Sequence, residues 1–175
     1  NGGVDDPPIR WGHPVGGLAG GLYGAIAVLA SLRDVRRGRA SRHTDLSLLD
    51  IQLALHSYRV PQAHDLGVDF RPDPRAGGSG ARPYGIYPTG DGRWFAAGIT
   101  DQFWKDFCAA MGRPELADDP AFATGGARTK NAARLEEIAE AIFRSRTAEE
   151  LEAIFLEHQL PGSRVLALEE AFQHP

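Results

Sequence analysis

The sequence predicts an α/β chain in two parts, a helix-rich portion to about residue 59 and a small α+β portion from residue 82. Three observations carry this. Apolar residues recur at every third or fourth position over 18–32 and again over 45–56, the period of a helix. Two apolar runs then flank Gly90-Asp91-Gly92, which is the pattern of a β-hairpin. Between these parts, residues 60–81 hold Pro61, Gly67, Pro72, Pro74, Gly77, Gly78 and Gly80 without a sustained period, which reads as a linker or long surface loop.

Taken in order, residues 1–16 are rich in Gly, Pro and Asp and read as loop. Over 18–32, Leu18, Leu22, Ile26, Leu29 and Leu32 mark one helical face, while Gly20, Gly21 and Gly24 lower helicity and suit a close approach to other backbone. Gly16-Gly17 and Gly20-Gly21 leave two readings open, a phosphate cradle or plain helix packing. Arg33, Arg36, Arg37, Arg39 and Arg42 follow as an anion contact or a solvated connector at a helix C-terminus. Asp45 stands where it can cap a second helix, apolar around nearly all its circumference and therefore expected to be buried, with His56 on the face of Leu46, Leu49 and Leu53.

In the second part, Tyr84, Ile86 and Tyr87 form one strand and 94–99 the other. Thr100 stands as an N-cap and Asp101 complements the helix dipole ahead of Phe103, Trp104, Phe107, Cys108 and Met111, before Gly112 and Pro114 stop the helix. A turn at 114–117 and another at 118–120 lead to an amphipathic helix over 129–144. Thr147-Ala148-Glu149-Glu150 is a capping box opening a helix that buries Leu151, Ile154 and Phe155. Residues 164–166 read as a short strand and 168–172 as the start of a last helix.

Composition narrows the function classes. The 175 residues, 42% hydrophobic and 24% charged, have an ordinary globular make-up, enough for one domain or two small ones. A formal net charge of -4 gives no electrostatic footprint for nucleic acid or a membrane surface. Cys108 is alone, so no internal disulfide forms, and neither a CxxC nor a paired-histidine motif offers a metal cage. The expected compartment is the reducing cytoplasm. The longest apolar stretch, 18–32, is short for a bilayer and diluted with glycine, which predicts a soluble protein.

An ordered series of short motifs gives a more specific signal. Pro83-Tyr84, Tyr87, Asp91-Gly92 with Trp94, Trp104, Gly112-Arg113-Pro114-Glu115-Leu116, Asp119-Pro120-Ala121-Phe122, Arg128 with Asn131, and Pro161 with Val165 follow one another over about ninety residues. Asp45-Leu46-Ser47-Leu48-Leu49-Asp50 precedes them. The series resembles the family III CoA-transferases, which include formyl-CoA transferase, the carnitine CoA-transferase and α-methylacyl-CoA racemase. The resemblance implies that residues 1–59 belong to a Rossmann-like large domain that binds CoA and that 82–175 form the small domain. It also implies coenzyme A as substrate, in acyl-CoA, with a carboxylic acid as the other partner. An interlocked homodimer, or a heteromer with an active subunit, is the implied assembly. Family members are about twice as long, so the chain reads as the middle of a longer fold.

In such transferases an aspartate in a loop before the first helix attacks acyl-CoA to give a mixed anhydride and free CoA, whose thiolate then attacks the anhydride to leave an aspartyl-CoA thioester and release the acid. In the racemase branch that aspartate shares proton transfer with a histidine. Alignment of Leu22-Tyr23 places it here at Gly16 or Gly17, and no carboxylate occurs between Asp6 and Asp34. The catalytic residue is therefore unassigned, with His13 the one titratable side chain near the gap. Gly77-Gly78-Ser79-Gly80 resembles the mobile glycine loop over the family's active site, or else is a flexible connector. The CoA-binding residues stay unassigned. Three readings stand: an acyl-CoA-dependent CoA-transferase, a catalytically silent subunit or tandem half, and a racemase-like enzyme.

Overall fold

The structure, a computed structural model, describes residues 12–41, 43–57, 59–67 and 83–173. The chain divides into two compact units, 1–72 and 73–175.

The described part of the first unit is helical. Helix α1 (Val15–Arg36) takes up the apolar run and extends it to 22 residues. By length and composition it could cross a membrane. Arg33 and Arg36 lie in its last turn, where cations suit the dipole, and Gly38 at φ +75° ends it. Arg39 pairs with Asp34 at 3.1 Å. Gly16, Gly20 and Gly24, one turn apart, face the chain leading into and along α2 (Leu48–Leu55). A Cβ at Gly20 would stand 2.5 Å from Leu48 Cδ2, and one at Gly24 would stand 3.7 Å from Leu46 Cδ1. The glycines thus admit leucine side chains rather than backbone. They lie inside the helix, so the phosphate-cradle reading, which needs a loop before a helix, does not describe Gly20-Gly21.

Helix α2 departs from expectation in two ways. Its N-cap is Ser47, whose Oγ accepts the Asp50 N–H at 3.2 Å, and Asp45 lies outside the helix. Its apolar circumference is largely exposed, with Ile51 the residue it buries, because α1 covers one side. A third helix, α3 (Arg59–Leu66), occupies the start of the expected linker. Pro61 sits in its first turn, where a missing N–H costs nothing.

The second unit is built on a three-stranded antiparallel sheet in the order β1-β2-β3: β1 (Tyr84–Pro88), β2 (Trp94–Gly98) and β3 (Gly162–Arg164). The hairpin pairs Tyr84 with Gly98, Ile86 with Ala96 and Pro88 with Trp94. Strand β3 lies two residues before the expected 164–166, in the register that sets Ala96 against Ser163 and Ala97 against Gly162. Alternation turns Tyr87, Phe95 and Ala97 to the core and leaves Ile86 and Trp94 exposed.

A turn of 3-10 helix (Asp101–Phe103) then leads into α4 (Trp104–Ala110), closed by Gly112 at φ +72°. Thr100 makes no side-chain cap, because Asp101 and the 3-10 turn form the entry instead. Helices α5 (Glu115–Asp118) and α6 (Gly125–Lys130) follow. The single helix expected over 129–144 is two, α6 and α7 (Ala132–Arg144), parted at Asn131. Asn131 spends its side-chain amide on the carbonyls of Ala121 and Ala127, at 3.1 and 3.0 Å. Helix α8 (Ala148–Glu157) opens with the expected Thr147–Glu150 capping box, and α9 (Leu168–Ala171) follows β3.

Helices α7 and α8 cover the inner face of the sheet. Tyr87 and Phe143 stack with centroids 4.4 Å apart, and Phe95 meets Phe155 edge-on at 4.7 Å. Arg128 is buried beside this core, lying over the Trp104 ring at 4.8 Å and donating to the Phe122 carbonyl and the Asp101 carboxylate.

Candidate active site

The pocket that matters opens within the first unit. Its volume is 680 Å³. One wall is the chain entering α1, Gly12 through Gly16, and the other is the second half of α2, where Gln52, Leu55 and His56 face it. His13 is therefore in the pocket, as is Gly16. Gln52 and His56 do not stand out as site residues along the chain, although two polar residues four apart, Gln52 within α2 and His56 at its C-cap, are a legible sign of a polar spot on one face.

Local structure explains the placement. Pro14 precedes the first helical residue, with its fixed φ pre-set for the turn, and its carbonyl accepts the Leu18 N–H at 3.0 Å. The His13 carbonyl accepts the Val15 N–H at 2.9 Å. The first turn of α1 contains no acidic residue and its N-cap makes no side-chain hydrogen bond. Gln52 lies over Gly16: a Cβ there would stand 3.1 Å from Gln52 Nε2 and 3.3 Å from Cδ. At Gly17 a Cβ would meet no atom within 4 Å. A side chain at 17 therefore has open space, whereas one at 16 contends with Gln52.

Among the described residues, no carboxylate lines this pocket and no cluster of three or more metal-ligating side chains occurs. Gly77, Gly78, Ser79 and Gly80 lie outside the described residues. Cys108 belongs to the core of the second unit, where burial pushes its thiol pKa up to about 12, so it is no nucleophile at neutral pH.

The profile of CoA-transferase family III matches residues 1–175, the whole chain. The chain belongs to CoA-transferase family III. Succinyl-CoA–D-citramalate CoA-transferase of Chloroflexus aurantiacus is 32% identical over 174 residues, which are 98% of this chain and 42% of that protein. Succinate–glutarate CoA-transferase of Agrobacterium fabrum is 27% identical, again over 98% of this chain and 42% of the relative. This family III chain therefore spans about two-fifths of the length of the curated relatives it matches. The crystal structure of a CAIB/BAIF family protein from Brucella suis superposes with a TM-score of 0.76 at 24% identity, covering 100% of this chain and 46% of the other. That likeness gives the fold, and it takes in α1.

Proposed function

We propose that this chain is part of an acyl-CoA-dependent CoA-transferase that moves CoA between an acyl-CoA and a carboxylic acid, working in the cytoplasm as a homodimer or a heteromer. The observation that carries the reading is the family III match over the whole chain; a pocket beside Gly16, one of the two positions at which the resemblance expects the nucleophile, supports it. The names of the two relatives place succinyl-CoA, citramalate and glutarate on their reactions, so the acid proposed here is a short dicarboxylate. No nucleic acid or membrane enters this reading. The apolar face of α1 falls within a fold shared with a crystallised family protein.

A second reading, a catalytically silent subunit or tandem half beside an active partner, is favoured by the glycines at 16 and 17, the two positions at which the resemblance expects the aspartate. Among the described residues the pocket holds His13, Gln52 and His56 and no carboxylate to form an anhydride. One experiment decides between the two. The full-length protein is incubated with succinyl-CoA and glutarate, and products and protein are followed by mass spectrometry, with Gly17→Asp run in parallel. Exchange by the unaltered protein supports the transferase. CoA binding without exchange, together with turnover gained by Gly17→Asp, supports the silent subunit. Failure to bind CoA at all overturns both.

A further inference from the structure

We infer that Gln52 and His56 are the specificity-determining residues for the acid, and that position 16 is glycine because Gln52 occupies the space a side chain there would need. This rests on the CoA-transferase reading. In a dicarboxylate one carboxyl group takes part in the exchange, and the other must be recognised by something else. The α2 wall supplies the means. Gln52 and His56 are four residues apart, one helical turn, and both line the pocket. Each carries N–H groups that can donate to a carboxylate, and the described lining holds no acidic residue to repel one. Pro14, Val15 and Leu55 supply apolar surface for the methylene chain.

Gln52 is also free to turn. Its Nε2 reaches the Leu48 carbonyl at 3.4 Å, the long limit of a hydrogen bond, and its amide keeps further donor and acceptor capacity. The amide rests in space that glycine leaves open, where a Cβ at position 16 would stand 3.1–3.3 Å from it. An alanine at 16 pushes the amide back from the α1 wall by a few tenths of an ångström. At Gly21 a Cβ meets no atom within 4 Å, so the same substitution there leaves Gln52 in place.

The test uses the full-length protein, calorimetry, and two acids of equal chain length, glutarate and valerate, with CoA binding measured separately. The unaltered protein should bind glutarate about tenfold or more tightly than valerate, the ratio that one charge-assisted hydrogen bond supplies. Gln52→Glu, nearly isosteric and so benign to the fold, should abolish or invert the preference by setting a carboxylate against the acid. Gln52→Leu combined with His56→Leu should bring the two acids within about twofold, since only apolar contact then remains. Gly16→Ala should weaken the preference, and Gly21→Ala should retain it. CoA binding with equal affinity for the two acids, or a preference that survives both Gln52→Glu and the double substitution, would overturn the inference while leaving the transferase reading standing. Absence of CoA binding would remove that reading and this one together.

Discussion

In the second unit the aromatic rings of Tyr87, Phe95, Phe107, Phe143 and Phe155 close on one another beneath a three-stranded sheet, whereas in the first unit α1 runs for 22 residues and buries none. Leu22 and Leu29 are 69% and 66% exposed. Helices α1 and α2 are more apolar than α7 and α8, so the contrast does not come from composition. A helical period says which face must be covered; a core forms only where other elements present complementary faces. The second unit contains both partners of its packing, two helices and a sheet. In the described first unit α1 packs on α2 through glycines, and α3 follows without a sheet to close on. The candidate pocket lies in this softer unit, where moving a side chain meets little resistance.

The largest expected effect breaks the closed side of that comparison. Phe143 stacks on Tyr87 and lies against Phe95 and Phe107, all buried. Phe143→Ala should cost about 3–5 kcal/mol, read as a lowered urea midpoint in circular dichroism. A loss below about 1 kcal/mol, within the range of ordinary surface changes, would mean that the cluster is loosely packed.

A glycine sharpens the same point. A Cβ at Gly162 would stand 2.6 Å from two carbons of the Phe155 ring and 2.8 Å from the Ala96 carbonyl oxygen. Backbone paired in a sheet cannot step aside, so Gly162→Ala should destabilise by roughly 1–3 kcal/mol, the cost of overpacking. Thermal unfolding of the variant beside the unaltered chain measures it, and an unchanged midpoint would show that β3 yields.

These two elements also show how far the sequence can be read. The hairpin and the Thr147 capping box are legible because their determinants are local, a Gly-Asp-Gly turn and a residue pair three apart. What the sequence does not show comes from partners distant in sequence. Asp101 stands in the first turn as expected of a residue serving the dipole, and it also pairs with Arg128, 27 residues on, which is 2% exposed against 72% for the aspartate. Asn131 parts two helices because its amide reaches the carbonyl of Ala121. Strand β3 takes its bounds from its register on β2 rather than from its own residues. In the site, the lack of a carboxylate between Asp6 and Asp34 is visible along the chain, but Gln52 and His56 join His13 only through the packing of α2 on α1.

A smaller effect concerns acid. The Thr89 hydroxyl, and then the N–H groups of Ala148 and Arg93, hold the Asp91 carboxyl below its ordinary pKa. For Glu150 the Thr147 N–H is the main cause, for Glu170 the Ala167 N–H, and for Glu115 its hydrogen bond from Arg113. A depressed carboxylate stabilises the fold fully above its unfolded pKa, and the contribution is lost as pH falls through the folded value. The second unit should therefore hold its midpoint from neutrality to about pH 5 and lose it progressively below about pH 4. Asp91→Asn should flatten part of that decline. Equal acid sensitivity in the variant would assign the effect to other groups.

The smallest effect lies at Gly20, and its smallness is the point. As at Gly162, a Cβ there would come nearer to a neighbour than real contacts allow, 2.5 Å from Leu48 Cδ2. Here the obstacle is the end of a leucine that is itself half exposed, able to change rotamer into solvent. Alanine also favours a helix interior over glycine by about 1 kcal/mol, which offsets the strain. Gly20→Ala should thus leave amide hydrogen exchange across α1 and α2 nearly unchanged or slightly slower, where the same substitution at Gly162 speeds exchange in β2 and β3. Faster exchange along α1 in the Gly20 variant would show that this interface is as tightly specified as the aromatic core, and the distinction between a soft unit and a closed one would fail.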